Sequence, residues 1–472
     1  MASITSTGIG SGLDVNSIIT QLMAVESRPL VQLQTAESGL RTELSAIGKL
    51  QSLTSTMRDA ATSLASVSLW KQTVATSANT SAVTVSTDDN AAVGSYSISV
   101  QALARTQTVS SSAFESGASV LGEGTLTIEL GSWGIDSNFT AKTGNSPLSI
   151  TIGAGETSLE GIRDKINGSG AGVTATIVND SSGARLALRS SSTGAENAFR
   201  ITGSDALSAL SYDAANADTP MTRNQTAIDA AATINGIAVT SASNKLEGVA
   251  DGLTVNLLQA TAAGADVDVN VAADTGAVKT AVTTFVTAFN ALAAYIKDQT
   301  KYDAETKVAG GLQGDRTTLG LQSQLRNVIN QASSASGTYT RLSDVGITMQ
   351  TDGSLKIDDD ALASAIDNFS ELRKVLATDA DTTAGSGFMD RFRDLGNAAL
   401  NTDGSLETRT TSINSIIARN EDSQESMQKR LDQTEARLRA QYQALDASMA
   451  KLNGLSSYMT TQLAALAKTS SY

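Results

Sequence analysis

The chain has 472 residues, 40% of them hydrophobic, with a mean hydropathy of −0.07 and a net charge of −14. Cysteine and histidine are both absent, which removes thiol nucleophiles, disulfides, imidazole bases and the usual zinc ligands together. Nine basic and eighteen acidic residues fall between Arg105 and Thr275, so the middle of the chain holds most of the acidity, and a nucleic-acid role, which draws on clustered Lys and Arg, is disfavoured.

The chain opens on a glycine-punctuated run in which Gly8, Gly10 and Gly12 precede Leu13. No basic and apolar signal region stands at the start, and no run approaches the roughly 18 continuous apolar residues of a membrane span. Neither a cleaved signal peptide nor membrane insertion is expected. The next stretch reads as a short helix over 15–27. Pro29 separates it from a longer one reaching Leu69, because proline inside a helix costs about 3 kcal/mol. Along the long helix Leu30, Leu33, Glu37, Leu40, Leu44 and Ile47 step by three and four, the spacing of a coiled-coil seam. The pattern resumes at Leu50, Leu53, Met57, Ala60, Leu64 and Val67 after a spacing of three where four was due, a break that overwinds a coil locally.

From Ser77 to Asp274 the period changes to two. Strands are predicted over 82–86, 95–100, 125–130, 148–152, 173–178, 186–189 and 253–257. One helix interrupts them: Thr157 and Glu160 form a capping box ahead of Leu159, Ile162 and Ile166, and Gly168-Ser169-Gly170 ends it.

Helical spacing returns with Val278, Val282, Phe285, Phe289, Leu292 and Ile296 and continues in a shorter helix over 319–329. A hairpin over 346–357 turns at Asp352-Gly353. The following Asp358-Asp359-Asp360 reads as a helix N-cap with favourable first-turn charges. The last arm carries no glycine or proline from Ser405 to Asn453, which permits a rod of roughly 75 Å. Met427, Leu431, Thr434 and Leu438 lead to Tyr442, Leu445, Met449, Leu452, Ser456, Met459, Leu463 and Leu466. The step from Leu438 to Tyr442 repeats a spacing of four, which unwinds the supercoil and marks a change of partner. Glu425 with Lys429, and Glu435 with Arg439, add i,i+4 support.

Catalytic and ligand signals are poor. The opening glycines follow no strand and lack the spacing of a nucleotide loop. Asp379, Asp381 and Thr383 imitate the start of a calcium loop, but Ala384 and Asp390 stand where glycine and a bidentate glutamate are needed. That segment reads as a disordered acidic loop. No cofactor, metal or catalytic constellation is expected, and no enzyme activity.

The resulting fold class is multidomain α+β: N- and C-terminal helices form a coiled-coil or helical-bundle leg, and inserted, mainly antiparallel β domains form a head. Residues 1–38 and 445–472 are assigned to a terminal helical leg, 39–77 and 275–444 to a bundle with a hairpin, 78–104 and 226–274 to an inner β domain, and 105–225 to an outer β domain with one helix.

The opening Gly8-Ile9-Gly10-Ser11-Gly12-Leu13-Asp14-Val15-Asn16-Ser17-Ile18-Ile19, with Leu22 and Glu26 on the next turns, resembles the signature start of flagellar filament cap proteins, the second hook-associated proteins. Val93 to Ala104 resembles that family's approach to its β domains. Ile166-Asn167 with Val173-Thr174-Ala175 resembles the helix-to-strand step of the outer one. Thr233-Ile234-Asn235-Gly236 resembles the Ile-Asn motif shared with flagellins, and Leu342 to Ile357 is similar to the family's hairpin. Only the stretch over 106–146 carries little family signal.

The resemblance implies a structural capping protein at the distal filament end, exported by the flagellar type III route to the outside of the cell and required for filament elongation and motility. It implies a ring of copies of the chain, roughly five in closed symmetry, that retains flagellin and promotes its folding. Hook-filament junction proteins and an export chaperone are implied as further partners. On this reading Gly8, Gly10 and Gly12 keep the N-terminus bendable. Leu13, Ile18, Ile19, Leu22 and Val25 face a partner, matched by Leu445, Met449, Leu452, Met459, Leu463 and Leu466; an intramolecular coil is the alternative for each. Leu33, Leu40, Leu44, Ile47, Met57, Leu64, Met427, Leu431, Leu438 and Tyr442 make the coil core. A surface adhesin binding host or matrix through the acidic β head is the alternative function.

Overall fold

The computed structural model describes residues 14–216, 218–305 and 307–469. In chain order it begins with helices α1 (Val15–Glu26), α2 (Arg28–Ala65) and α3 (Val67–Lys71). Strands β1 (Thr73–Ser77), β2 (Val83–Thr87), β3 (Gly94–Ala102), β4 (Thr108–Ser110), β5 (Gly124–Trp133), β6 (Phe139–Ala141) and β7 (Leu148–Ile152) follow, then α4 (Leu159–Gly168). Next come β8 (Val173–Asp180), β9 (Gly183–Ser190), β10 (Ala198–Gly203), β11 (Thr222–Gln225), β12 (Ala230–Ile234), β13 (Ile237–Ser241), β14 (Lys245–Ala250), β15 (Leu253–Leu257) and β16 (Val267–Ala273). The remainder is α5 (Thr275–Thr300), hairpin β17 (Tyr302–Asp303) and β18 (Val308–Ala309), α6 (Arg316–Asn330), hairpin β19 (Ile347–Met349) and β20 (Leu355–Ile357), and helices α7 (Asp359–Asp367), α8 (Phe369–Ala377), α9 (Phe388–Leu400) and α10 (Ser405–Thr469). Two compact units result, Met1–Leu69 with Val278–Tyr472, and Trp70–Ala277.

The β unit is antiparallel throughout the pairings described. In its inner part a five-stranded sheet ordered β1-β16-β3-β12-β13 and a three-stranded sheet β14-β15-β2 share one core. Val267, Val269 and Val271 point into that core with Ile98, Val100, Leu253, Val255 and Leu257, while Asp268 and Asn270 point out. This is the period-two burial that a half-solvated sheet requires. The outer part sets β10-β5-β6, with β7 also on β5, and the sheet β11-β4-β9-β8 around α4.

The cap of α4 differs from the expected one. Ser158 holds the N-cap, its hydroxyl accepting the Gly161 N–H at 3.1 Å. With Gly161 three residues on, no capping box closes, because Thr157 lies one residue too early for its hydroxyl to reach the third helical N–H.

In the helical unit, Ser27 closes α1 and opens α2, with Pro29 in the first turn of α2 where no N–H partner is needed. Its upper half packs against α9, whose Gly396 meets α2 so closely that a Cβ would stand 2.6 Å from that of Arg58. Phe285 and Phe289 of α5 surround Phe392 of α9 with ring centroids 5.0 and 5.9 Å away. Among the described residues α5 is long and apolar enough to cross a membrane, but its apolar stripe faces this bundle. Asp358 caps α7 by accepting the Asp360 and Ala361 N–H groups, and Asp359 pairs with Lys279, as the triple-aspartate reading expects.

The acidic segment before α9 is not a disordered loop. Ser386 Oγ bonds the Ala380 and Thr382 carbonyls, and Asp390 is buried in the first turn of α9 beside Arg393. Burial pushes the Asp390 carboxyl above its ordinary pKa, against the pull of Arg393.

Candidate interaction surface on the terminal helices

The coil core changes character along its length. In α2, Ile47, Met57 and Leu64 are buried, whereas Leu33, Leu40 and Leu44 are half-buried. After the heptad break the seam runs through Thr54, fully buried with its hydroxyl on the Leu50 carbonyl, while Leu53 is only half-buried. In α10, Leu431 is buried and Met427, Leu438 and Tyr442 are half-buried. The break at Ile47 coincides with the arrival of more helices: Tyr295 of α5 donates to the Ala46 carbonyl at 3.1 Å, and Arg409 of α10 bridges Glu43 to Asp315, the N-cap of α6.

Below that junction α2 and α10 run antiparallel, and polar pairs join them beside the leucine seam. Arg41 bonds Glu37 and Glu421 at 2.6 and 2.7 Å, and Gln424 donates to Glu37 at 2.6 Å. Arg41, with Gln424 behind it, holds the Glu37 carboxyl below its ordinary pKa. The i,i+4 pairs Glu425–Lys429 and Glu435–Arg439 are formed.

Helix α1 lies on α10, and Arg439 reaches Asn16 at 3.5 Å. Asp14 caps α1 through the Ser17 N–H. Val15 and Ile19, one turn apart, are both buried, with Ile19 3% exposed. Ile19 is therefore not available to a partner, which corrects its assignment to the outward face. Ile18 is half-buried and Leu22 and Val25 are exposed. Gly8, Gly10, Gly12, Leu13 and the side chain of Leu466 lie outside the described residues.

Further along α10 the surroundings fall away. Leu445 is exposed, Met449 half-buried, and every residue over 450–465 is exposed, with Leu452 at 59%, Met459 at 56% and Leu463 at 61%. Leu455 and Tyr458 widen the stripe. Together these side chains form a continuous exposed apolar face along the end of α10.

Some structurally decisive residues have no sequence signal. Arg391 of α9 is buried with no carboxylate partner among the described residues, donating to the carbonyls of Ser386, Ala332 and Ala384 and lying over the Phe388 ring. Burial lowers its pKa. It ties the loop after α6 to the loop before α9. Gln107 does the same in the outer β part, bonding both backbone groups of Phe199 and the Trp133 indole. Periodicity detects apolar faces and is silent on buried polar anchors.

Comparison with known proteins accounts for nearly the whole chain. The hook-associated protein 2 of Escherichia coli K12 is 32% identical over 98% of this chain and 98% of its own. The chain belongs to the flagellar hook-associated protein 2 family. The family's N-terminal model matches residues 11–107 and its C-terminal model 227–454. The hook-associated protein 2 of Salmonella typhimurium LT2 is 31% identical over 99% of this chain and 100% of its own. The crystal structure of the flagellar cap protein FliD D1-D2-D3 domains from Escherichia coli superposes with a TM-score of 0.60, at 31% identity, over 78% of this chain and 99% of that one. The fold class follows: helices at both ends with antiparallel β domains between.

The flagellin hook IN-motif model falls on 138–192, so it includes Ile166-Asn167 and not Ile234-Asn235, where the motif was expected. The geometry explains why an asparagine is suited there. Asn167 exchanges two hydrogen bonds with Ala175, Nδ2 to its carbonyl at 2.9 Å and Oδ1 from its N–H at 2.7 Å, fastening the end of α4 to β8.

Proposed function

We propose that this protein caps the distal end of a bacterial flagellar filament outside the cell, as a ring of roughly five copies in closed symmetry. In that position it retains exported flagellin until each subunit folds into the next vacant site, and filament elongation and motility depend on it. Membership of the hook-associated protein 2 family supports the capping role. The observation that carries the contact assignment is the apolar face of α10: Leu445, Leu452, Met459 and Leu463 are left exposed by the described residues, unlike the buried Leu406, Ile413 and Ile417 of the same helix.

On this reading 1–38 and 445–472 form the leg that engages filament subunits, with Ile18, Leu22, Val25 and Met449 flanking the contact, Leu13 and Leu466 extending it, and Gly8, Gly10 and Gly12 giving the end its freedom. Residues 39–77 and 275–444 supply the bundle, except that Thr73–Ser77 pairs into the five-stranded sheet as β1; 78–104 and 226–274 form the inner β domain, and 105–225 the outer one. The chain acts by assembly rather than as an enzyme. It leaves the cell by the flagellar type III route, delivered by an export chaperone, and meets the hook-filament junction before the first flagellin arrives.

Deleting the residues after Asn453 tests the leg. Cells carrying the truncated protein are expected to shed monomeric flagellin into the medium and to bear few or no filaments. Filaments of ordinary length would sink the assignment. Those same cells separate capping from adhesion, because an adhesin acting through the acidic β domains would leave filament length untouched.

A further inference from the structure

We propose that Asn235 is a site of spontaneous deamidation in the folded protein. Asn-Gly occurs three times in the chain, at 167–168, 235–236 and 453–454. In this chemistry the glycine backbone nitrogen attacks the asparagine Cγ and gives up its proton. The Cγ–Nδ2 bond breaks, ammonia leaves, and a five-membered succinimide forms. Water then opens the ring at either carbonyl to leave aspartate or isoaspartate. The step needs an unobstructed glycine nitrogen, an amide group free to leave, and stabilisation of the oxygen that takes charge in the tetrahedral intermediate.

Asn235-Gly236 supplies all three. The pair is the two-residue turn between β12 and β13, with Ile234 opposite Ile237 and φ of 49° and 79°, the left-handed geometry of a tight hairpin. Both residues are exposed, and nothing stands within 4 Å of the place a Gly236 Cβ would take. Asn235 Oδ1 accepts the Ser97 N–H at 2.8 Å, so a fixed backbone donor already points at the oxygen that becomes negative. Among the described residues no hydrogen bond holds Asn235 Nδ2 or occupies the Gly236 N–H.

Asn167 presents the opposite case. Its Oδ1 also accepts a backbone N–H, from Ala175, but the leaving Nδ2 is tied to the Ala175 carbonyl, and Gly168 belongs to the last turn of α4. Asn453 lies within α10 on its exposed stretch, so Asn167, fastened to a neighbouring strand, is the comparator. At 235, an aspartate product keeps an acceptor for Ser97. Isoaspartate adds a methylene to a two-residue turn, which then cannot keep both its β-ladder register and its bond to β3.

The test follows conversion at both positions by peptide mass mapping and isoaspartate detection, on the purified full-length chain in mildly alkaline buffer, folded and in concentrated urea. In urea the two sites should convert at similar rates, since each asparagine precedes glycine. In the folded chain Asn235 should convert at least about tenfold faster, because Asn167 must wait for local opening of α4 from β8. The conservative variant Asn235→Gln, whose ring would be six-membered and slower to close, should lose the mass gain in its peptide. Equal rates in the folded chain, or protection of Asn235, would overturn the proposal, as would persistence of the mass gain in Asn235→Gln.

Discussion

Between Ala46 and Leu64 helix α2 buries eight side chains, whereas between Arg28 and Leu44 the same helix buries none. The partner helix shows the same division: Leu406, Ile413 and Ile417 of α10 are buried, Leu431 is the last buried residue among those described, and no buried residue follows it up to 465. Heptad spacing is continuous across both halves apart from its breaks, so spacing does not distinguish them. What differs is the company each half keeps. A helix among α5, α6 and α9 has its apolar side enclosed, while the paired helices beyond them leave most seam residues partly in water. The first half behaves as a protein core, and the second is a seam with room for further helices.

The largest expected effect breaks the core half. Phe392→Ala removes the ring that Phe285 and Phe289 surround, and should lower unfolding free energy by about 3–5 kcal/mol in denaturant titration. A loss below about 1.5 kcal/mol, the scale of a tolerated volume-conserving swap, would mean that the bundle is not the cooperative centre of the helical unit.

Arg391→Met should follow at about 3 kcal/mol, because the carbonyls of Ala332, Ala384 and Ser386 lose their donor in a buried setting. Arg391→Lys keeps the charge but not the planar fork, and is expected to recover less than half of the loss. Equal stability of the lysine variant and the parent would show that charge alone suffices there.

The α1–α2 division at Pro29 and the β20–α7 boundary were legible because they depend on local chemistry: a missing N–H, a turn glycine, an N-cap carboxylate; α8 and α9 carry no such signal and were not read as helices. The capping residue of α4 was missed by one position because Thr157, Ser158 and Glu160 offer two overlapping caps, and only backbone direction selects Ser158. Ile19 was read as outward because a single helix does not reveal which of two adjacent isoleucines its neighbour will cover. Asp390 looked like loop acid since nothing local announces that Arg393 and the α8–α9 turn will enclose it. The exposed α10 face was legible as apolar spacing. That the described residues leave it exposed is a tertiary fact.

The core half should also dominate acid sensitivity. Glu371 bonds Lys374, Ser336 and the Gly337 N–H, which together bring its pKa down to about 2, against about 4.3 for a free glutamate. A folded-state pKa below the unfolded one stabilises fully above about pH 4.3 and loses that contribution as pH falls toward 2. Glu371→Gln should therefore flatten the stability profile within that window and lower the plateau above it. An unchanged acid slope in thermal melts across the window would remove Glu371 from the account.

In the two-stranded half the same kind of truncation should cost less. Leu40→Ala removes a half-buried side chain, which corresponds to about 1 kcal/mol. Amide exchange should show the loss as faster local opening around Arg28–Leu44, with the rate at Ile47 and Leu50 unchanged. Global destabilisation on the scale of Phe392→Ala would mean that the seam and the bundle unfold as one, and the comparison would fail.

The smallest expected effect on stability belongs to the bare end. Leu452→Ser and Leu463→Ser together replace side chains that are 59% and 61% exposed. In the isolated protein the pair should change unfolding free energy by no more than about 0.5 kcal/mol, since surface positions without tertiary contacts rarely exceed that. In cells the same pair should shorten filaments and release flagellin, because removing an apolar anchor from an interface is felt only when the partner is present. The two readouts move apart only if the face is made for something other than its own chain. A stability loss above about 1 kcal/mol would show that the end is covered intramolecularly, and unaltered filaments would show that the cover, whatever it is, does not come from the filament.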